Sequence, residues 1–225
     1  MKKIDLNVDI GEGFSFDSEL LDFASSANVC CGEHAGNWDL TCATVEMCLA
    51  RGVRVGIHPG YPDRATMGRK SISAEDVDEY QASILRQVRR FYDAFLPSYI
   101  KPHGAFYNDA IFIPEALEML SEVMQIVKLP VMGLARTPVE ALAVLTHCGF
   151  MREGFADRAY KPDGTLVPRG TPGAVFDDPN KVREQVIRIA PLVDTICLHG
   201  DNPDCIEFAE MVTATLIDSG YLIGS

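Results

Sequence analysis

The sequence predicts an α/β fold, a seven-stranded barrel of the (β/α) type. Three observations carry that expectation. Seven short strand-like runs alternate with amphipathic helical segments along the 225 residues, and strands separated by helices pair in parallel. The length suits one barrel, read as a single domain spanning 1–225, and is ample to bury a core without disulfide or metal staples. The polar residues of several strands share one parity, which aims them at a common interior. An open doubly wound sheet is the competing architecture. It calls for a Gly-rich phosphate loop after the first strand, and Gly11-Glu12-Gly13-Phe14 matches G-x-G-x-x-G poorly.

The first strand candidate is 3–10, where Ile4, Leu6, Val8 and Ile10 alternate with Asp5, Asn7 and Asp9. A second lies at 27–31. A weaker helical pattern at 39–51 follows it, with Gly52 where a left-handed terminal residue belongs. The third strand is 53–57. Residues 75–96 then carry Val77, Tyr80, Ile84, Val88, Phe91 and Phe95 at spacings of three and four, a helix with one apolar face. The fourth strand is 99–103, followed by a helix at 114–127 on Leu117, Leu120, Met124 and Val127. The fifth strand is 130–134. Thr137-Pro138-Val139-Glu140 reads as a capping box with Pro at the first helical position, and Gly149 is placed to close that helix. The sixth strand is 152–155. Asp178-Pro179 opens a helix at 179–192 on Val182, Val186 and Ile189. The seventh strand is 195–199. Asn202-Pro203 opens a last helix at 203–219 on Ile206, Ala209, Leu216 and Ile217, with Gly220 at its end.

Alternation makes the interior chemical. Asp5, Asn7 and Asp9 share one face, and the apolar face opposite packs on helices. Lys101 and His103 are in phase, as are Cys197, His199 and Asp201. His58 opposes Val55 and Ile57. Asn28 and His34 fall at and beyond the second strand, Glu153 and Asp157 at and beyond the sixth. Four of five histidines, His34, His58, His103 and His199, thus sit at C-terminal strand ends, the end at which barrel enzymes hold their chemistry. They are expected to open with Asp9 into one pocket of roughly 300–1,000 Å³. His147, near a helix end, is read as structural.

The formal net charge of −12 argues against nonspecific nucleic-acid binding and against anionic membranes. No apolar run approaches the ~20 residues of a membrane span, and the N-terminus lacks a signal-peptide apolar region. The seven cysteines include no C-x-x-C pair and are read as free thiols, which points to the cytoplasm. Most are read as small buried apolar residues. Asp9, His34, His58, His103 and His199 form a pool of ligands for a divalent metal such as Zn²⁺. A metal-free site using the same groups as acids and bases stands beside it. No P-loop or kinase motif is present.

Six segments together resemble a known family. They are 5–13 (DLNVDIGEG), 25–36 (SSANVCCGEHAG), 58–63 (HPGYPD), 101–108 (KPHGAFYN), 153–169 (EGFADRAY through DGTLVPR) and 197–201 (CLHGD). In order, and over nearly the whole chain, they are similar to the LamB/YcsF family. Departures fall at Glu33, Asn37 and Trp38 and in a shortened 14–20. The resemblance implies a barrel similar to those of glycoside hydrolases and polysaccharide deacetylases. It implies ATP-coupled opening of the 5-oxoproline lactam to L-glutamate by a 5-oxoprolinase, with a chain of this kind working beside partner subunits B and C. On that footing Asp9, His58, Lys101, His103 and His199 are the catalytic candidates, and Asn7, Glu12, Asn28, His34, Glu153, Asp157, Arg158 and Arg169 the substrate-binding ones. Lys101 is either a cation for transferred phosphate or an interior partner of Asp9. Arg158 and Arg169, flanking a hairpin that turns at Asp163-Gly164, either clamp a substrate carboxylate or make surface ion pairs. A metal-dependent amide or ester hydrolase of the carbohydrate deacetylase type is the alternative function, and a non-catalytic scaffold is disfavoured by the polar interior.

Overall fold

The computed structural model describes residues 2–202 and 204–224. Its strands and helices, in chain order, are β1 (Lys2–Ile10), α1 (Asp17–Leu20), β2 (Ser26–Cys30), α2 (Trp38–Ala50), β3 (Arg54–His58), α3 (Val77–Phe95), β4 (Tyr99–Ile100), α4 (Gly104–Phe112), α5 (Pro114–Val127), β5 (Val131–Gly133), α6 (Pro138–Leu145), β6 (Phe150–Phe155), α7 (Pro179–Ile189), β7 (Thr195–His199), α8 (Cys205–Asp218) and β8 (Tyr221–Ile223). Strands β1 to β7 pair in parallel in sequence order, and β1 closes the ring by pairing with both β2 and β7. The result is the expected seven-stranded barrel, and the open sheet is excluded. An eighth strand, unforeseen, lies parallel to residues 2–4 of β1.

Burial follows the alternation of β1. Ile4, Leu6, Val8 and Ile10 pack outward into one large apolar layer with Val182, Val186 and Val212 of the covering helices. In α3, Tyr80, Ile84, Val88 and Phe91 recur on one face and are buried against that layer. The interior holds a second, small apolar cluster of Tyr107, Leu134, Phe155, Leu166 and Cys197. No helix among the described residues is long and apolar enough to cross a membrane.

Local expectations fail where long-range contacts intervene. β4 pairs only at Tyr99–Ile100, because Pro102 has no N–H to donate. The chain nevertheless stays extended: Lys101 N–H donates to Ile57 O (2.9 Å) and His103 N–H to Pro59 O (2.8 Å). Gly104, at φ +55, then turns directly into α4, a helix the sequence did not announce. A Cβ there would stand 2.6 Å from Gly68 O. The Thr137 capping box does not form. Thr137 Oγ1 donates back to Leu134 O, while Arg136, at φ +62, points its N–H to Glu140 Oε2 (2.6 Å). That helix is ended by His147 at φ +55 rather than by Gly149. Asp178 does cap α7, accepting from Asn180 N–H. Pro203 lies outside the described residues, and α8 begins at Cys205.

Candidate active site

The barrel interior is a hydrogen-bonded column rather than the aliphatic plug usual in such barrels. At its base the Asp5 carboxylate accepts from Ser25, Ser26 and Thr195 hydroxyls at 2.6–2.7 Å. One level up, Asn7 donates to Thr195 Oγ1, and Asn28 donates to Asn7 Oδ1 and Asp9 Oδ1, each at 2.7 Å. Tyr99 OH donates to Asn28 Oδ1 at 2.8 Å. Buried polar groups persist when their partners are supplied, and this ladder supplies them.

Lys101 crowns the column. Its ammonium lies 2.7 Å from Asp9 Oδ1, 2.8 Å from Glu153 Oε1, 3.2 Å from Asn7 Oδ1 and 3.1 Å from Cys197 Sγ. Burial would drive its proton off, but Asp9, Cys197 and Glu153 outweigh it and hold the ammonium well above the usual lysine range. Burial likewise raises Asp9, yet Lys101, His58 and His199 together keep that carboxyl well below its ordinary value. Cys197 is fully buried, and desolvation pushes its thiol far up, leaving it no nucleophile.

The histidines gather above. His58 Nδ1 donates to Lys101 O and His103 Nε2 to Met67 O, both at 2.8 Å. Met67 is held at φ +53, a costly conformation for a side-chain-bearing residue, which aims that carbonyl. His58 Nε2 and His103 Nδ1 face each other at 3.0 Å. Glu12 Oε1 lies 3.2 Å from His103 Nδ1, 3.3 Å from His34 Nε2 and 3.9 Å from His58 Nε2. His34 stacks on His103 with ring centroids 3.8 Å apart. Burial first, and neighbouring rings second, lower both His34 and His103 well below the usual histidine value, so both are neutral. His199 Nδ1 contacts both oxygens of Asp157 at 2.9 and 3.0 Å, and its Nε2 stands 4.0 Å from Asp9 Oδ2. Burial raises Asp157, but His199, Arg169 and Arg158 hold it below the ordinary range.

A cavity of ≈ 360 Å³ opens over this floor, inside the range expected from the sequence. Asp9, Glu12, His58, Lys101, His103 and His199 line it. So do Arg158 and Arg169, and with them Arg69, Lys161 and Asp201 at the mouth. Arg169 Nη1 and Arg69 Nη2 converge on one oxygen, Asp201 Oδ2, at 2.7 and 2.9 Å. Arg158 is only 6% exposed and donates to Val167 O and Ala174 O. The surface ion-pair reading is therefore corrected for Arg158, which the hairpin between β6 and α7 buries over the barrel mouth, whereas Arg169 is partly exposed and does make an ion pair, with Asp201. Its turn at Asp163-Gly164 is as expected, with Gly164 at φ +86.

Five sequence-chosen residues do not reach the cavity: Asn7, Asn28, His34, Glu153 and Asp157 are buried beneath or behind its wall. The expectation that His34 shares the pocket is corrected. The stacked ring of His103 covers it. Sequence reasoning missed Arg69, which carries no motif. It also missed Tyr107 and Asn108, whose helical spacing after His103 was the available signal.

The LamB/YcsF family model matches residues 4–224. The chain is 34% identical to the A subunit of 5-oxoprolinase from Neisseria meningitidis serogroup C (strain 053442) over the whole of both chains. It is 37% identical to the A subunit of 5-oxoprolinase from Pyrococcus furiosus, over 98% of this chain and 96% of that one. The crystal structure of the lactam utilization protein from Thermus thermophilus superposes with a TM-score of 0.84 at 29% identity, covering 99% of each chain. The polysaccharide deacetylase Bc1974 from Bacillus cereus shares the fold alone, with a TM-score of 0.55 at 14% identity over 100% of this chain and 92% of that one. Matched along nearly its full length by the family and by relatives that share its barrel, this chain belongs to the LamB/YcsF family.

Proposed function

We propose that this chain is the lactam-handling component of an ATP-dependent 5-oxoprolinase, opening 5-oxoproline to L-glutamate together with partner subunits B and C. The observation that carries the reading is the cavity itself, a small chamber with an acid–base floor and a cationic mouth. 5-Oxoproline is a five-membered lactam bearing one carboxylate, and both halves find complementary surfaces there. Arg69, Arg158 and Arg169 offer planar donors to the carboxylate. Asp9, His58, His103 and His199 face the ring.

A lactam is a stable amide, so its opening is coupled to ATP. Transfer of the terminal phosphoryl group of ATP to the lactam oxygen, with release of ADP, makes the ring carbon an electrophile. Water adds there, the C–N bond breaks as the ring nitrogen gains a proton, and a second water releases phosphate from the resulting acyl phosphate to leave L-glutamate. Asp9 and His199 stand together on one side of the floor, where one accepts a proton from water while the other, buttressed by Asp157, carries one. Lys101 holds Asp9 ionised for that task. Its donors are already engaged by Asp9, Asn7 and Cys197, so Lys101 is not assigned to the transferred phosphate. With no phosphate-binding loop in the sequence, ATP binding is assigned to the assembled complex.

The test is 5-oxoproline-dependent ATP hydrolysis by the purified chain, alone and with the two partner subunits. Turnover only in the complex supports the proposal. Turnover by the chain alone overturns the division of labour, and none in any combination overturns the reaction. The deacetylase-type hydrolase remains a second reading, favoured by the Glu12, His34, His58 and His103 cluster. Metal-dependent release of acetate from an acetylated sugar by the chain alone would select it.

A further inference from the structure

We propose that Glu12, His58 and His103 bind a divalent first-row transition-metal ion of the Zn²⁺ type on the cavity floor, with His34 positioning Glu12.

Backbone carbonyls fix where the ring protons are. A backbone carbonyl only accepts, so the 2.8 Å contact of His58 Nδ1 with Lys101 O fixes the proton on Nδ1. By the same logic the contact of His103 Nε2 with Met67 O fixes the proton on Nε2. With both rings neutral the two remaining nitrogens carry lone pairs, and they face each other at 3.0 Å. Glu12 Oε1 completes a triangle of acceptors at 3.2 and 3.9 Å. Three electron-rich atoms thus converge on one point with no donor among them. A single shared proton bridges two atoms along a line and leaves the third unserved. A cation serves all three.

The dimensions suit that cation. Two ligand atoms 3.0 Å apart subtend about a right angle at an ion about 2.1 Å from each, an ordinary Zn–N length. Both imidazoles are backed by carbonyl acceptors, the outer-shell arrangement that fixes tautomer and ring orientation at metal sites. His34 Nε2, at 3.3 Å, gives Glu12 a hydrogen bond of the same orienting kind. The ligands line the cavity while His34 does not, so the open side of the ion faces the chamber.

Charge gives independent support. Asp9, Glu12 and Glu153 bring three buried carboxylates to this floor, and Lys101 is the one buried ammonium set against them. Lys101 contacts Asp9 and Glu153, and a divalent ion would give Glu12 a cationic partner as well. Two imidazoles with one carboxylate select a borderline ion over Mg²⁺ or Ca²⁺, which prefer all-oxygen sites. Bound there, the ion would act as a Lewis acid toward a carbonyl or a water in the chamber.

This set differs from a pool centred on Asp9 and His199. Lys101 claims one Asp9 oxygen, and Asp157 claims the His199 ring. The proposal also stands apart from the 5-oxoprolinase reading, because binding is measured without substrate, ATP or partners.

The experiment uses the full chain, stripped with chelator and titrated with Zn²⁺, Mn²⁺ and Co²⁺ by calorimetry, with bound metal counted by mass spectrometry. One ion per chain is expected, uncompeted by excess Mg²⁺ or Ca²⁺. Glu12→Gln and His103→Asn should weaken it by at least ~100-fold. His147→Asn, a change to an exposed histidine, should leave it intact and so reports on surface binding. Anomalous diffraction from the wild-type Zn²⁺ form locates the ion even if a variant fails to fold. Absence of a stoichiometric ion, or an anomalous peak away from His58 and His103, overturns the proposal.

Discussion

Lys101 Nζ and Glu153 Oε1 form an ion pair at 2.8 Å inside the barrel, and the Glu153 side chain is wholly buried with neither oxygen holding a hydrogen bond. The same ammonium also serves Asp9 at 2.7 Å. Removing it strands two carboxylates at once. Lys101→Met should therefore lose about 3–5 kcal/mol of stability, as expected when one partner of a buried ion pair is deleted. Lys101→Met/Glu153→Gln should recover part of that loss, which denaturant melts of the single and double variants will measure. A Lys101→Met protein as stable as wild type but without turnover would return Lys101 to direct contact with substrate.

Asp17 gives the fold a pH dependence. It is buried and accepts Gly11 N–H at 2.8 Å, tethering the loop that carries Glu12. Burial, with Glu12 and Glu19 adding, raises its carboxyl from 3.8 to about 6 against the help of Gly11 N–H. The folded state thus binds the proton more tightly than the unfolded chain. The stability this linkage contributes is present in full below 3.8 and is lost as pH rises through about 6. Asp17→Asn keeps the acceptor and removes the charge. Relative to wild type it should gain stability across that window, by on the order of 2 kcal/mol. Thermal melts at a series of pH values will show whether the two curves diverge there.

Gly60 makes room for the imidazole stack. A Cβ at this position would stand 2.5 Å from His34 Nδ1 and 3.2 Å from His103 Cβ. Gly60→Ala must shift one of these buried rings, and overpacking of this kind costs about 1–3 kcal/mol. The expected result is a lowered Tm together with displaced histidine side-chain NMR resonances. Unchanged resonances would show that the backbone, not the rings, absorbs the methyl.

Arg169 and Arg69 share Asp201 Oδ2 at the mouth of the cavity. Arg169→Gln removes one planar donor while Arg69 keeps the loop in place. A hydrogen bond to a charged group contributes about 1.5–3 kcal/mol. In the reconstituted complex KM for 5-oxoproline should accordingly rise ~10–100-fold with kcat little changed. A fall in kcat at constant KM would instead place Arg169 on the transferred phosphate.

Much of this molecule was legible in its sequence, because strand alternation is a property of the local backbone. The parity of Asp5, Asn7 and Asp9, of Lys101 and His103, and of Cys197 and His199 was enough to turn these side chains inward, and the sequential β–α order was enough to predict a parallel barrel. The layering inside the barrel and the loop paths were decided only by tertiary structure. Closure stacks the inward residues in layers, so Asn7, Asn28 and Glu153 fall below the floor that Asp9 and His58 form, although all share one parity. The loops beyond the strand ends follow no period. Their paths depend on long-range contacts, such as Asp109 holding Ser71 Oγ and Ile72 N–H. Those contacts bring Arg69 to Asp201, slide His34 behind His103 and set Glu12 among three imidazoles. Residues distant in the chain meet there because packing of the whole barrel fixes their separation, and no local pattern of side chains encodes that distance.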